Sequence, residues 1–235
     1  MPLCPSLGTP VARAEVDTAV EQSHIPCGVT MEKKGQKSPA FTLKDRTGDG
    51  ETIMILTSLR LSKVLQLTLA VIKPDAVAHP LMVQALHQKI LENNFLIVRC
   101  KDLVWRRADS ERFYAEHAGR FFYQRLVEFM SSGPMRAYVL AREDAIQQWR
   151  ELMGPTKVFR ARYTSPTSVR AQFGLTDTRN TAHGSDSAES AQKEISFFFP
   201  EFCAKKWMDR EEPIYRSGQT RYDHLKQIHT PLVPS

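Results

Sequence analysis

Residues 179–187 read Arg179-Asn180-Thr181-Ala182-His183-Gly184-Ser185-Asp186-Ser187 and lead into a segment that ends in Phe197-Phe198-Phe199-Pro200. Asp186 or Ser187 is a good N-cap, so a helix is predicted to begin there. The imidazole of His183 would then lie beside the N–H groups and the positive end of this helix, where an anionic group is stabilised. Near pH 7 a neutral histidine keeps one nucleophilic nitrogen, and Glu194 is a candidate acceptor that fixes its tautomer. Taken alone, however, a loop histidine is more often a solvated residue than a catalytic one.

Upstream of this string, three apolar segments predict strands: Leu67–Lys73, Phe95–Trp105 and Met135–Ala141. The patterns between and after them predict helices over 80–94, from Asp109, over 121–131, from Asp144 to Gly154, and from Asp186 or Ser187 to about Pro200. Residues 155–180 are interpreted as one long, polar, arginine-rich loop. This order of strands and helices favours an α+β sandwich, with helices laid over an open sheet.

The chain of 235 residues divides into three parts by composition. We predict that residues 1–66 form a flexible N-terminal extension, that residues 67–206 form one folded domain, and that residues 207–235 form a charged, loose C-terminal tail. Within the extension, residues 54–66 carry basic but no acidic side chains and a leucine-rich face, which is typical of a mitochondrial presequence. We therefore expect translation to be able to start at Met54 and the product to be mitochondrial. An ordinary amphipathic linker in a cytoplasmic protein is the alternative.

Composition and missing motifs exclude several classes of protein. With 42% apolar and 25% charged residues the chain is typical of a folded domain, and no run approaches the ~18 apolar residues of a membrane span. Four widely spaced cysteines without a CxxC indicate neither a zinc site nor a disulfide framework. The net charge of +6 favours anionic partners such as phosphates, but no nucleic-acid-binding motif accompanies it, which argues against nucleic acid. Because the P-loop, GxGxxG, HExxH and GxSxG motifs are absent, any phosphate chemistry must rely on side chains.

Short motifs in a fixed order carry a resemblance to a known family. They are Val71-Ile72-Lys73-Pro74-Asp75, Phe113-Tyr114, Arg120-Phe121-Phe122, Ser132-Gly133-Pro134, Met153-Gly154-Pro155-Thr156, Ser168-Val169-Arg170 and Asn180–Asp186. In this order they resemble the nucleoside diphosphate kinase family, and in detail a divergent, mitochondria-associated branch of it. The resemblance covers about Leu67 to Pro200 and implies a ferredoxin-like antiparallel sheet covered by helices.

The resemblance also implies a ping-pong kinase reaction in nucleotide metabolism. His183 would take the γ-phosphoryl group of ATP or another nucleoside triphosphate, hold it as phosphohistidine and pass it to a nucleoside diphosphate. Mg²⁺ would be the cofactor, held mainly through the nucleotide phosphates and water, with no protein cage. Catalytic roles are implied for His183, Lys73, Tyr114 and Glu194, and nucleotide contacts for Lys73, Phe122, Leu126, Arg150, Thr156, Arg170 and Asn180.

Within this set, the cations Lys73, Arg150 and Arg170 and the hydroxyl of Thr156 would contact phosphate. Phe122 would stack on the base with Leu126 nearby. Lys73 and Asn180 would contact the ribose hydroxyls, while Tyr114 would pack beside His183.

Each residue also has a plain alternative. Lys73 could be a solvated surface lysine, and Glu194 a solvated helix acid. Arg150 could pair with Glu151 or Asp144, and Phe122 and Leu126 could be core residues. The segment between Thr156 and Arg170 is a few residues longer than in highly active relatives, which predicts slower chemistry and leaves the oligomeric state open. The rival function is therefore a weakly active or inactive nucleotide-binding protein that works through a protein partner.

Overall fold

The computed structural model describes residues 63–232, and its centre is one four-stranded antiparallel sheet. Its strands are Gln66–Ile72 (β1), Leu96–Val104 (β2), Pro134–Arg142 (β3) and Ala182–Gly184 (β4). They lie in the order β2-β3-β1-β4, and every neighbouring pair is antiparallel. This arrangement confirms the predicted ferredoxin-like α+β fold.

Helices cover both faces of the sheet, and a short hairpin follows them. The helices are Pro74–Val77 (α1), Pro80–Glu92 (α2), Arg107–Phe113 (α3), Tyr123–Met130 (α4), Ala145–Met153 (α5), Val158–Thr164 (α6), Val169–Phe173 (α7), Ala188–Phe198 (α8), Ala204–Arg210 (α9) and Glu212–Arg216 (α10). The hairpin pairs Thr220–Asp223 (β5) with Ile228–Pro231 (β6). Within residues 63–232, no helix is long and apolar enough to cross a membrane.

Strand β1 is buried on both faces and therefore belongs to two cores. Leu69 and Val71 face the core that includes Phe198 of α8, whereas Ile72 faces the core that includes Trp149 of α5. Alternate side chains of a strand point to opposite faces, which explains this division. Burying one large aliphatic side chain contributes about 1.5–3 kcal/mol to the free energy of folding. The buried side chains of β1 therefore hold this strand, and the start of the segment that follows it, in a stable position.

Some predicted helix boundaries are wrong. The helix predicted to begin at Asp109 has Arg106 as its N-cap, and Asp109 lies in its first turn, where its carboxylate accepts the Arg106 N–H at 3.1 Å. The predicted loop over 155–180 contains α6 and α7. These helices are short and bury few side chains, Val158 and Ala161 in α6 and mainly Val169 in α7, so no sustained apolar period marks them.

The C-terminal segment is folded onto the sheet up to residue 232, which differs from the expected loose tail. Trp207 is buried in one core, and the Tyr215 hydroxyl donates to the His229 carbonyl at 2.7 Å. The Ile97 N–H, at a bulge in the edge strand β2, donates to Nδ1 of His229 at 2.9 Å. The predicted N-terminal extension includes the presequence-like stretch from Met54. Up to position 62, this extension lies outside the residues that the structure describes.

Candidate active site

His183 lies in the short strand β4, paired with Val71 of β1, and its ring is 23% exposed. Its Nε2 is 3.0 Å from Oε1 of Glu194, and the Ser185 hydroxyl donates to Oε2 of the same carboxylate at 2.6 Å. Because an ionised carboxylate only accepts hydrogen bonds, Nε2 carries the proton. Nδ1 therefore keeps its lone pair in the neutral ring, and it has no hydrogen-bond partner among the described residues. Glu194 is thus not merely a solvated helix acid.

Aromatic side chains fix the position of His183. The ring of Phe113 meets the imidazole edge-on, with centroids 5.6 Å apart. Trp149 donates from Nε1 to the His183 carbonyl at 3.2 Å. The indole of Trp149 also fills the space that a Cβ at position 184 would occupy, so Gly184 is required for this close approach.

Lys73 is buried at the end of β1, with 6% of its surface exposed. Its ammonium donates to Oδ1 of Asn180 at 2.7 Å. Burial, and secondarily the charge of Arg170, lowers the pKa of Lys73 to about 7, and the carboxylate of Asp75 opposes this shift. The alternative of a solvated surface lysine is wrong. Because burial disfavours the charge of this lysine, a nearby anion would stabilise its ammonium form.

Asn180 connects Lys73 to the segment that carries Thr156. It is buried, and its amide nitrogen donates to the Thr156 carbonyl at 3.1 Å and to the Asp177 carbonyl at 3.0 Å. Thr156 itself is exposed. The amide therefore holds together two parts of the chain that are distant in sequence, and Lys73 is positioned by the same group.

The two predicted arginines lie in different environments. Arg170 is buried and donates to the carbonyls of Gly154 and Ala182, at 2.8 and 3.0 Å. Burial, followed by the charge of Arg150, lowers the pKa of Arg170 to about 10. Arg150 is exposed, and within residues 63–232 it makes no ion pair, so the alternative partners Glu151 and Asp144 are not used.

A surface pocket of about 800 Å³ lies beside Arg150. Asp186 and Ser187 also line it, whereas His183 and Lys73 do not. Arg150 therefore faces an open space next to the start of α8.

Tyr114 caps the end of α3, and Phe122 and Leu126 lie at the start of α4. Tyr114 is buried, and its hydroxyl has no partner in the described part of the chain. Burial, and then the nearby charge of Glu194, raises the pKa of Tyr114. Phe122 is half-buried, lies edge-on to His117 and stays outside both cores, whereas Leu126 packs against one of them.

Sequence reasoning missed Ser185 and Thr181 as parts of this arrangement. Ser185 is the second donor to Glu194, and its spacing of nine residues from that acid was an available signal. Thr181 has a φ of 74°, a conformation that a β-branched residue rarely adopts and that no sequence pattern announces.

Comparison with known proteins places this geometry in a family. A family model described as "Nucleoside diphosphate kinase" matches residues 66–203, which is more than half of the chain. The chain belongs to the nucleoside diphosphate kinase family. This confirms the predicted resemblance and assigns the chain to a family of nucleotide-binding kinases.

Several members of the nucleoside diphosphate kinase family are closely similar to this chain. "Nucleoside diphosphate kinase 6" of Danio rerio is 73% identical over 172 residues, which cover 73% of this chain and 98% of that protein. The Homo sapiens protein of the same name is 63% identical over 171 residues, covering 73% and 92%. A crystal structure of the Aquifex aeolicus nucleoside diphosphate kinase is 44% identical, with a TM-score of 0.55, and covers 57% of this chain and 95% of that one.

Proposed function

We propose that this protein transfers the γ-phosphoryl group of a nucleoside triphosphate such as ATP to a nucleoside diphosphate, through a phosphohistidine at His183. One observation carries the proposal. Glu194 holds Nε2 of the ring at 3.0 Å and so leaves the opposite nitrogen, Nδ1, unprotonated and without a partner among the described residues. An unprotonated imidazole nitrogen is a nucleophile at neutral pH.

In the first half-reaction, the Nδ1 lone pair forms a bond to the γ-phosphorus. The bond between that phosphorus and the β–γ bridging oxygen breaks, and the nucleoside diphosphate leaves with the electron pair. The ring becomes cationic as it bonds to phosphorus, and the carboxylate of Glu194 compensates that charge at Nε2. In the second half-reaction, a terminal phosphate oxygen of another diphosphate attacks the phosphorus, and Nδ1 leaves with its lone pair restored.

Positioning and charge neutralisation do most of the work in phosphoryl transfer. In this proposal Lys73, Arg170 and Arg150 supply positive charge to the phosphates, with the hydroxyl of Thr156 as a further contact. Lys73 supports this assignment because its pKa near 7 would rise again beside an anionic nucleotide. The half-buried ring of Phe122, with Leu126 next to it, is proposed to stack on the base, and the amide of Asn180 to orient the ribose. Tyr114 would shape the wall behind His183.

Magnesium fits these residues as a complex with the nucleotide. Residues 63–232 contain no group of three or more His, Cys, Asp or Glu side chains arranged to hold a metal ion. Their cationic and hydroxyl groups suit phosphates instead, and Mg²⁺ usually retains phosphate and water ligands. When bound, Mg²⁺ would neutralise phosphate charge in the transition state.

We also propose a mitochondrial location, supported by the basic, leucine-rich stretch that begins at Met54, with the cytoplasm as the alternative. The proposal depends on a start at Met54, which N-terminal sequencing of the protein from cells tests. A product that begins at or after Met54 supports it, and the absence of such a species contradicts it.

Labelling of the full chain tests the reaction directly. After incubation with Mg²⁺ and [γ-³²P]ATP, the wild type is expected to carry an alkali-stable, acid-labile phosphate. His183→Ala is expected to carry none, whereas His79→Ala, which changes an exposed histidine, is expected to label normally.

Absence of label in all three proteins, with nucleotide still bound, would contradict the proposal. It would favour the rival function of a nucleotide-binding protein that acts through a partner. Repeating the assay on protein isolated in its cellular complex distinguishes a true lack of activity from the need for that partner.

A further inference from the structure

The backbone at Thr181, two residues before His183, has a strained conformation. Thr181 has a φ of 74°, in the left-handed region where a β-branched side chain is strained. Its hydroxyl is buried and has no partner among the described residues, so its own side chain does not stabilise this conformation. A residue keeps a strained conformation only where contacts with the surrounding structure stabilise it.

Two contacts from the start of α1 hold this peptide. The Thr181 N–H donates to Oδ2 of Asp75 at 3.1 Å, and the Thr181 carbonyl accepts the N–H of Lys73 at 2.8 Å. The second contact is made by the backbone and is available to any residue at position 73. The first depends on a side chain, and Asp75 supplies it.

The groups that would handle phosphate are attached on either side of this peptide. Asn180, which receives the ammonium of Lys73, precedes Thr181 directly. Ala182, whose carbonyl receives Arg170, follows it, and His183 is the next residue. A change in the Thr181 conformation would therefore move the nucleophile and its supporting side chains relative to one another.

Partial burial of the Asp75 carboxylate costs free energy. It is half-buried, one of its oxygens has no partner among the described residues, and burial raises its pKa. A group that loses solvation without full compensation does not contribute much to stability. In this position the carboxylate accepts the Thr181 N–H and also opposes the lowering of the Lys73 pKa.

We propose that Asp75 is a positioning residue for the transfer reaction: its carboxylate holds the strained Thr181 peptide, and through it the place of the His183 ring. This inference rests on the proposed function. The contact is tertiary, since it joins residues 106 positions apart in the sequence. A misplacement of a reacting group by ~1 Å costs about 100-fold in rate.

Four full-length variants test the inference: Asp75→Ala, Thr181→Gly, the double variant, and Asp209→Ala, which changes an exposed acid in α9. Asp75→Ala is expected to slow single-turnover phosphorylation of His183 by about 100-fold, with a smaller change in KM. Glycine adopts positive φ without strain, so Thr181→Gly in the Asp75→Ala background is expected to restore about tenfold of the rate. Asp209→Ala should phosphorylate at the wild-type rate.

Amide hydrogen exchange at Thr181, measured by NMR, gives a readout that does not depend on activity, and so does the imidazole ¹⁵N spectrum of His183. In Asp75→Ala we expect faster exchange at Thr181 and shifted His183 resonances, with both changes reduced in the double variant. A positioning role is overturned if Asp75→Ala reacts at the wild-type rate, or if Thr181→Gly restores neither rate nor resonances. If the wild type itself is never phosphorylated, the proposed function fails, and the NMR measurements still decide whether Asp75 positions the ring.

Discussion

At the scale of single residues, burial gives Lys73 a titration in the neutral range, with a pKa of about 7 in place of 10.5. Below this pH the folded protein carries a buried ammonium, and above it a neutral amine. A polyanionic nucleotide favours the ammonium, so binding above pH 7 must be coupled to the uptake of a proton.

We therefore predict that ADP binds more weakly as pH rises from 7.5 to 9, by up to about tenfold per pH unit. Because the second ionisation of a phosphate lies at about pH 6, the charge of ADP stays constant over this window. Isothermal titration calorimetry in buffers of different ionisation enthalpy measures both affinity and proton uptake. Lys73→Met is expected to bind weakly and with a flat pH profile, while Lys205→Met, at an exposed position, should follow the wild type. A wild-type affinity independent of pH would contradict the prediction.

The titration of Lys73 does not itself promote unfolding over the pH range in which it weakens binding. Because the pKa of Lys73 is lowered in the folded state, the unfolded chain binds more protons between pH 7 and 10.5. The contribution of Lys73 to the free energy of unfolding therefore increases as pH rises through that window. Lys73 therefore weakens binding and stabilises the fold over the same pH range.

At the scale of elements, the sequence predicted β1, β2 and β3, but it missed the short strands β4, β5 and β6 and the helices of the segment before the active site. The predicted strand 67–73 is β1, Gln66–Ile72, because its side chains are apolar on both faces of the sheet. By contrast, α6 is held by contacts that depend on the tertiary fold: the Val158 N–H donates to the Asp177 carboxylate, and Arg162 donates to the Gly174 carbonyl. The periodicity of apolar residues along the sequence does not reveal such contacts.

The same limit applies to the site. His183 and Glu194 could be predicted from an ordered set of motifs and from the spacing of a helix. The strain at Thr181, the carboxylate of Asp75 beneath it and the burial of Lys73 are properties of chain segments that meet only in the folded protein. Sequence reasoning identified His183, Glu194 and Lys73, but it missed Asp75 and Ser185, whose contacts form only in the folded protein.

The two faces of α6 should respond differently to mutation. Val158 is buried, whereas Phe159 and Tyr163 are 72% and 76% exposed and mainly contact each other, with centroids 5.0 Å apart. Val158→Ala is expected to lower the free energy of unfolding by about 2 kcal/mol. The double change Phe159→Ser and Tyr163→Ser should alter it by less than about 0.5 kcal/mol. Urea denaturation of the full chain measures both, and the reverse order of effects would show that α6 packs through its other face.

At the scale of the whole molecule, the C-terminal hairpin covers the open edge of the sheet through the buried His87 and the half-buried His229. Nδ1 of His229 accepts the Ile97 N–H, and this contact requires an unprotonated nitrogen. His87 lies between the hydroxyls of Tyr138 and Tyr222, at 3.2 and 2.6 Å. The contacts therefore join strands of the central sheet to β5 and β6, far along the chain.

Both histidines disfavour a proton in the folded state. Burial lowers the pKa of His229, and burial together with the charges of Arg136 and His229 lowers that of His87. The carboxylate of Asp102 pairs with Arg136 at 2.7 Å and offsets part of its charge. Since the unfolded chain titrates at the ordinary value of 6.5, it takes up more protons than the folded protein just below that pH. The stability that these histidines contribute is present above pH 6.5 and is lost as pH falls.

We expect the free energy of unfolding to decrease from pH 7 to pH 5, with a slope of up to about 1.4 kcal/mol per pH unit for each histidine. His229→Gln keeps an acceptor oxygen without a titrating nitrogen, so its slope should be smaller than that of the wild type. His79→Gln, at an exposed position, should leave the slope unchanged. Hydrogen exchange at the Ile97 amide locates the effect: measured against the intrinsic exchange rate at each pH, its protection should be lower at pH 5 than at pH 7 in the wild type, while amides in β1 stay protected. Equal slopes for the wild type and His229→Gln would mean that the hairpin is held by its apolar contacts, and that closure of the sheet edge does not depend on pH.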